Sequence, residues 1–210
     1  MRFRLILISS FLCFLAAGTA WATSGGVWLC DVLGYDEANG RVYIHQLDSG
    51  GGDSFGFVAW METRGPDAGS LHGVDWDRWG EGTGDDPELH KRLAELRAGL
   101  TRLPALTWPS LPFSVTTVAR DTVPNDMGQD LRLRVRANFG GPLLELTCWV
   151  NDRVARPVVY ELPGGAGWIW IVAFIGVPYE MGYETQMPVL VRPGEREETI
   201  RQVEWRRLKD

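Results

Sequence analysis

The chain has 210 residues, 45% of them hydrophobic and 23% charged, with 25 Gly, 12 Pro and a formal charge of −6. This is the composition of an ordered globular chain, and it excludes a collagen, a coiled coil and a disordered tail. The acidic balance argues against nucleic acid as a partner, because neutralising phosphates takes clustered Lys and Arg.

The first 22 residues read as a cleaved export signal. Arg2 and Arg4 give a cationic start, Leu5 to Ala17 an apolar run, and Ala20-Trp21-Ala22 small residues at the two positions a signal peptidase inspects. The run is shorter than the ~20 apolar residues that a bilayer span needs, so no transmembrane span is expected in the mature chain. A periplasmic or secreted location follows, with an envelope protein or a glycan as the expected partner. Without the signal, 19 Lys and Arg face 27 Asp and Glu, a net charge of −8.

Two cysteines remain after cleavage. Trp28, Cys30 and Val32 share one face of a predicted strand, as do Leu146, Cys148 and Val150, so both sulfurs point to an apolar side. In an oxidising compartment this pattern predicts a Cys30–Cys148 disulfide, worth about 4–5 kcal/mol by loop closure; two separate buried thiols are the alternative.

Residues 27–33 and 41–47 predict a hairpin around Asp36-Glu37-Ala38-Asn39-Gly40, because Asn-Gly tolerates positive φ. Residues 48–54 are a Gly-rich loop, 55–63 a third strand and 64–84 loop. Leu89, Leu93, Leu96, Leu100 and Leu103 then form one apolar stripe at helical spacing. Asp86 suits the N-cap, Pro87 the first turn and Glu88 the positive end of the dipole, while Pro104 ends the helix and Gly99 weakens it by about 1 kcal/mol.

Past a Pro-rich connection at 104–112 the pattern is β. Leu131, Leu133 and Val135 alternate with Arg132, Arg134 and Arg136, a half-buried strand with an arginine row on its open face. Further strands fit 143–151, 156–162, 168–177, 184–192 and 199–207. Residues 168–177 lack alternation and predict a central strand buried on both faces.

The fold class expected is mainly β: an antiparallel β-sandwich-like domain with one amphipathic helix at about 87–103. Residues 23–84 form its hairpin segment with acidic Gly-rich loops, 85–112 the helix and connection, and 113–210 an antiparallel β region, all in one folded unit.

Chemical motifs are weak. Gly52-Asp53-Ser54-Phe55-Gly56 matches G-x-S-x-G, but an elbow needs a helix after the serine, and a strand is expected there. Gly80-Glu-Gly-Thr-Gly84 opens a helix, yet Asp85, Asp86 and Glu88 at its mouth would repel phosphate. Asp75, Asp77, Gly80, Glu81 and Asp86 fit a calcium-loop frame in part, with Trp79 where an oxygen ligand belongs, so calcium is at most a weak cofactor expectation and none is assigned. His45, His72 and His90 lack zinc-ligand spacing.

Six tryptophans on predicted strands, Trp28, Trp60, Trp149, Trp168, Trp170 and Trp205, are expected to pack. Trp76 and Trp79 lie in a loop with Asp75 and Asp77. Aromatic faces beside carboxylates can stack on sugar rings and bind hydroxyls, so these four are the candidate ligand-binding residues. No catalytic residue is assigned. The function expected is a non-catalytic binding or structural protein of the envelope; the alternative is a carboxylate-dependent hydrolase or binder of envelope glycans.

Overall fold

The computed structural model describes residues 27–48, 55–73, 82–83, 87–106, 113–125, 128–176 and 183–203. In chain order these form β1 (Val27–Asp36), β2 (Arg41–Asp48), β3 (Phe55–Glu62), β4 (Leu71–Gly73), β5 (Gly82–Thr83), α1 (Pro87–Ala98) and β6 (Ala105–Leu106). They continue with β7 (Ser114–Asn125), β8 (Gly128–Asn138), β9 (Leu143–Trp149), β10 (Val158–Glu161), β11 (Trp168–Ile175), β12 (Glu184–Val191) and β13 (Ile200–Val203). The expected export signal at 1–22 lies outside the described residues.

The strands build two sheets. The larger runs β4-β3-β2-β1-β12-β11-β10-β6, with β5 also paired to β3; the smaller runs β13-β9-β8-β7. Among the described residues 59% are in strands and there is a single α-helix, so the molecule is a mainly β, sandwich-like fold. It is not purely antiparallel: β1 runs parallel to β12, and β13 parallel to β9. These pairings join segments far apart in sequence, so no local turn could announce them.

The expected hairpin forms. Asp36 faces Arg41 across the β1–β2 ladder, and the Gly40 N–H donates to the Asp36 carbonyl at 2.8 Å. The 64–84 stretch, expected as loop, supplies β4 and β5 to the edge of β3. The alternation on β8 also holds: Leu133, Val135 and Ala137 are buried, while the arginines face out. Arg132 pairs with Asp121 on β7, and Arg134 and Arg136 reach the nearly buried Glu145 at 3.5 and 3.1 Å.

β11 is buried along almost its whole length because its two faces serve two cores. Trp170, Val172 and Phe174 point at the smaller sheet, where they meet Leu133, Val135, Leu144, Leu146 and Cys148. Ile169 and Ile171 point the other way and pack with Leu190, Val42, Ile44, Met61 and Tyr35. Successive strand residues face opposite sides, which is why one unalternating apolar run feeds both clusters.

Two expectations are corrected. Cys30 and Cys148 are both free thiols, not a disulfide. Cys148 sits in the core between the sheets and Cys30 against the other core, so facing an apolar side put them in different interiors. The helix also ends at Ala98 rather than near 103. After Gly99 the chain turns to pair with β1: Thr101 and Tyr35 exchange backbone hydrogen bonds of 2.9 and 2.8 Å. Gly34 makes this approach feasible, since a Cβ there would lie 2.7 Å from the Leu100 Cβ and 2.9 Å from the Thr101 carbonyl. Leu100 and Leu103 therefore keep the apolar spacing but pack from outside the helix.

Candidate functional site

The outward residues of the N-terminal strands are polar or aromatic where their neighbours are apolar. On β2, Val42 and Ile44 enter the core, so Arg41, Tyr43 and His45 project from the opposite face. Cross-strand pairing sets Tyr43 beside Trp60, Arg41 beside Glu62, and His45 between Asp31 and Val58. Helix α1 covers part of this face: its Leu89 and Leu93 are buried against Leu33 and Val58, with Tyr43, Leu96 and Leu100 packed around them.

Outside the helix the face is closed by a row of side chains across three strands. The Arg41 guanidinium lies 5.2 Å from the Trp60 ring centre, and Trp60 stacks on His72 at 5.5 Å with 17° between planes. Arg41 Nε and Trp60 Nε1 both donate to Glu62 Oε1, at 2.9 and 3.2 Å. Trp60 is thus engaged within the sheet, as a strand tryptophan is expected to be.

Where the helix leaves the hairpin an open groove of about 520 Å³ remains, lined by Asp36, Tyr43, Arg92, Glu95, Leu96, Gly99 and Leu100. Its size falls in the usual range for small-molecule sites, and its lining mixes an aromatic ring and two leucines with three charged groups. The Asp36 carboxylate is preorganised by the turn: Asn39 donates to it from its side chain at 2.6 Å and from its backbone at 3.1 Å. That side-chain hydrogen bond is the main cause holding Asp36 below the usual carboxylate range, so the group is an anion at neutral pH. Arg92 Nε stands 3.5 Å from Glu88, a partly exposed i,i+4 pair along the helix.

On the same strand and face as Tyr43, His45 is only 6% exposed, and its Nε2 has no hydrogen-bond partner among the described residues. Burial is the main cause pushing its pKa below the ordinary 6.5; Asp31 opposes this, while Arg97 and His90 add to it. Asp31 is itself ion-paired with Arg97 of the helix.

The candidate residues Asp75, Trp76, Asp77 and Trp79 lie outside the described residues, as do Ser54 and most of the proposed calcium frame. The flanks of the acidic segment are placed: Gly73 pairs with Ala59 and Gly82 with Gly56, so both ends are fixed on β3. Among the described residues no group of three His, Cys, Asp or Glu is arranged to hold a metal ion. Downstream of Ser54 the chain is strand, Phe55–Glu62, which is not the strand–turn–helix setting of a hydrolase elbow.

The groove residues were not singled out by sequence. Their signal was present: an outward set Arg41-Tyr43-His45 on one strand, and a helix whose apolar stripe had to cover a sheet face. Comparison of the chain with protein-family models, curated proteins and solved structures finds no match.

Proposed function

We propose that the chain is an exported, non-catalytic binding module of the cell envelope, and that the groove between α1 and the β1–β2 hairpin holds a sugar unit of a glycan. One observation carries this reading: Tyr43, Leu96 and Leu100 provide an aromatic and apolar floor, bordered by Asp36, Glu95 and Arg92, in a groove of about 520 Å³. Sugar rings have an apolar face that stacks on aromatics and hydroxyls that pair with carboxylates and guanidinium groups. Asn39 holds Asp36 ionised, as an acceptor for sugar hydroxyls. The acidic surroundings favour a neutral hydroxylated ligand over a polyanion: residues 23–86 carry 12 acids against 3 bases.

The test is calorimetric titration of the full mature chain with a panel of envelope-type oligosaccharides, repeated on Tyr43→Ala and Glu95→Gln. Loss of stacking in Tyr43→Ala is expected to weaken binding about two- to tenfold, the effect of losing an aromatic contact of about 0.5–1.5 kcal/mol. Affinity unchanged in both variants, or no binding to any member of the panel, would refute the reading.

A further inference from the structure

We propose that the docking of α1 on the N-terminal strands is an acid-sensitive latch with His45 as its sensor: protonation of this imidazole releases the helix, whatever the groove binds. Two neighbouring strands and the helix surround the side chain. From β1, Asp31 stands directly opposite it in the ladder. On β3, Val58 is its cross-strand neighbour, and Gly56 lies so close that a Cβ there would sit 2.6 Å from Nε2. The helix contributes Arg97 and His90, the cationic and titratable groups that act on the ring.

In the docked state the ring is enclosed, Nε2 has no hydrogen-bond partner among the described residues, and Asp31, the carboxylate opposite it in the ladder, is held by Arg97. A proton on Nε2 would therefore be a buried, unpaired charge, which is strongly disfavoured. Helix release reverses each term. Arg97 and His90 depart with α1, the ring meets water, and Asp31 is left free to pair with the imidazolium across the β1–β2 ladder. The released state thus binds the proton more tightly than the docked one. The sign follows: docking has its full stability above the ordinary histidine value of 6.5 and loses it as pH falls below that value toward the lower value of the docked state. Because α1 forms one wall of the groove through Arg92, Glu95 and Leu96, the same event dismantles that wall.

The experiment is hydrogen exchange on the full mature protein between pH 7.5 and 5, with protection corrected for the intrinsic pH dependence of exchange. Protection of the α1 amides is expected to fall relative to β11 by up to about tenfold per pH unit below 6.5. In His45→Gln and His45→Phe the ratio of α1 to β11 protection should not change with pH. Nitrogen-edited spectra of the unmodified protein give a second reading that needs no variant: the His45 ring should titrate below 6.5, together with the helix amides. A constant α1-to-β11 ratio in the wild type, an equal loss in both elements, a pH response retained in the variants, or a His45 midpoint at or above 6.5 would each overturn the latch.

Discussion

A missing methyl group shapes the surroundings of His45. The sequence motif that ends in Gly56 looks like part of a nucleophile elbow, but its last glycine has a packing reason: a Cβ would lie 2.6 Å from His45 Nε2 and 3.1 Å from Leu47 Cδ2. Gly56→Ala must displace a buried ring, and overpacking of this kind costs about 1–3 kcal/mol. Urea unfolding is expected to show that loss; an unshifted midpoint would mean that His45 and Gly56 are not in contact. The cysteines argue at the same scale. The Cys30 thiol donates to the Gln186 carbonyl at 3.0 Å and accepts from Gln46 Nε2 at 3.4 Å. Burial pushes both thiols up to about 12, despite the lowering effect of the Gln46 hydrogen bond on Cys30. Almost no thiolate exists at neutral pH, so both should resist a thiol reagent in the native protein and both should react in denaturant. Cys30 and Cys148 both unreactive in denaturant without reductant would restore the disulfide.

Helix α1 shows how far local pattern reaches. The leucine spacing identified the stripe, and Leu89 and Leu93 are its buried members within the helix, while Leu103 is buried beyond the helix end. Leu93→Ala should cost about 2–4 kcal/mol, as expected for a buried leucine in a tight interface, and should reduce helix protection more than that of β8. Equal loss in both elements would show that the helix does not open separately. The helix end was not legible, because it is set by Thr101 pairing with Tyr35 across a long sequence gap. β8 was legible because one face is wet and arginines alternate with core residues, and β11 because both faces are dry, whereas β7 fell in a stretch read only as generally β. The short strands β4, β5 and β6 were not, since two or three residues carry no periodicity and exist through their partners β3 and β10.

At the scale of the molecule, one strand layer, β10 to β12, supports two interiors, and the parallel β1–β12 seam joins the N-terminal strands to it. That seam and the β13–β9 pairing decide the architecture, and neither leaves a trace in local sequence. For the same reason the groove was invisible: Asp36 and Tyr43 come from the hairpin, while Arg92, Glu95 and Leu96 come from a helix that reaches them only by tertiary packing. The arginine row of β8, by contrast, was easy to read and is internally paired with Asp121 and Glu145. Among the described residues no helix is long and apolar enough to cross a membrane. The most direct test is to map amide chemical shifts of the labelled protein during titration with the oligosaccharide panel. The account predicts saturable shifts centred on Asp36, Tyr43 and residues 92–100, with sheet β13-β9-β8-β7 unmoved; shifts centred on that sheet, or none with any oligosaccharide, would contradict it.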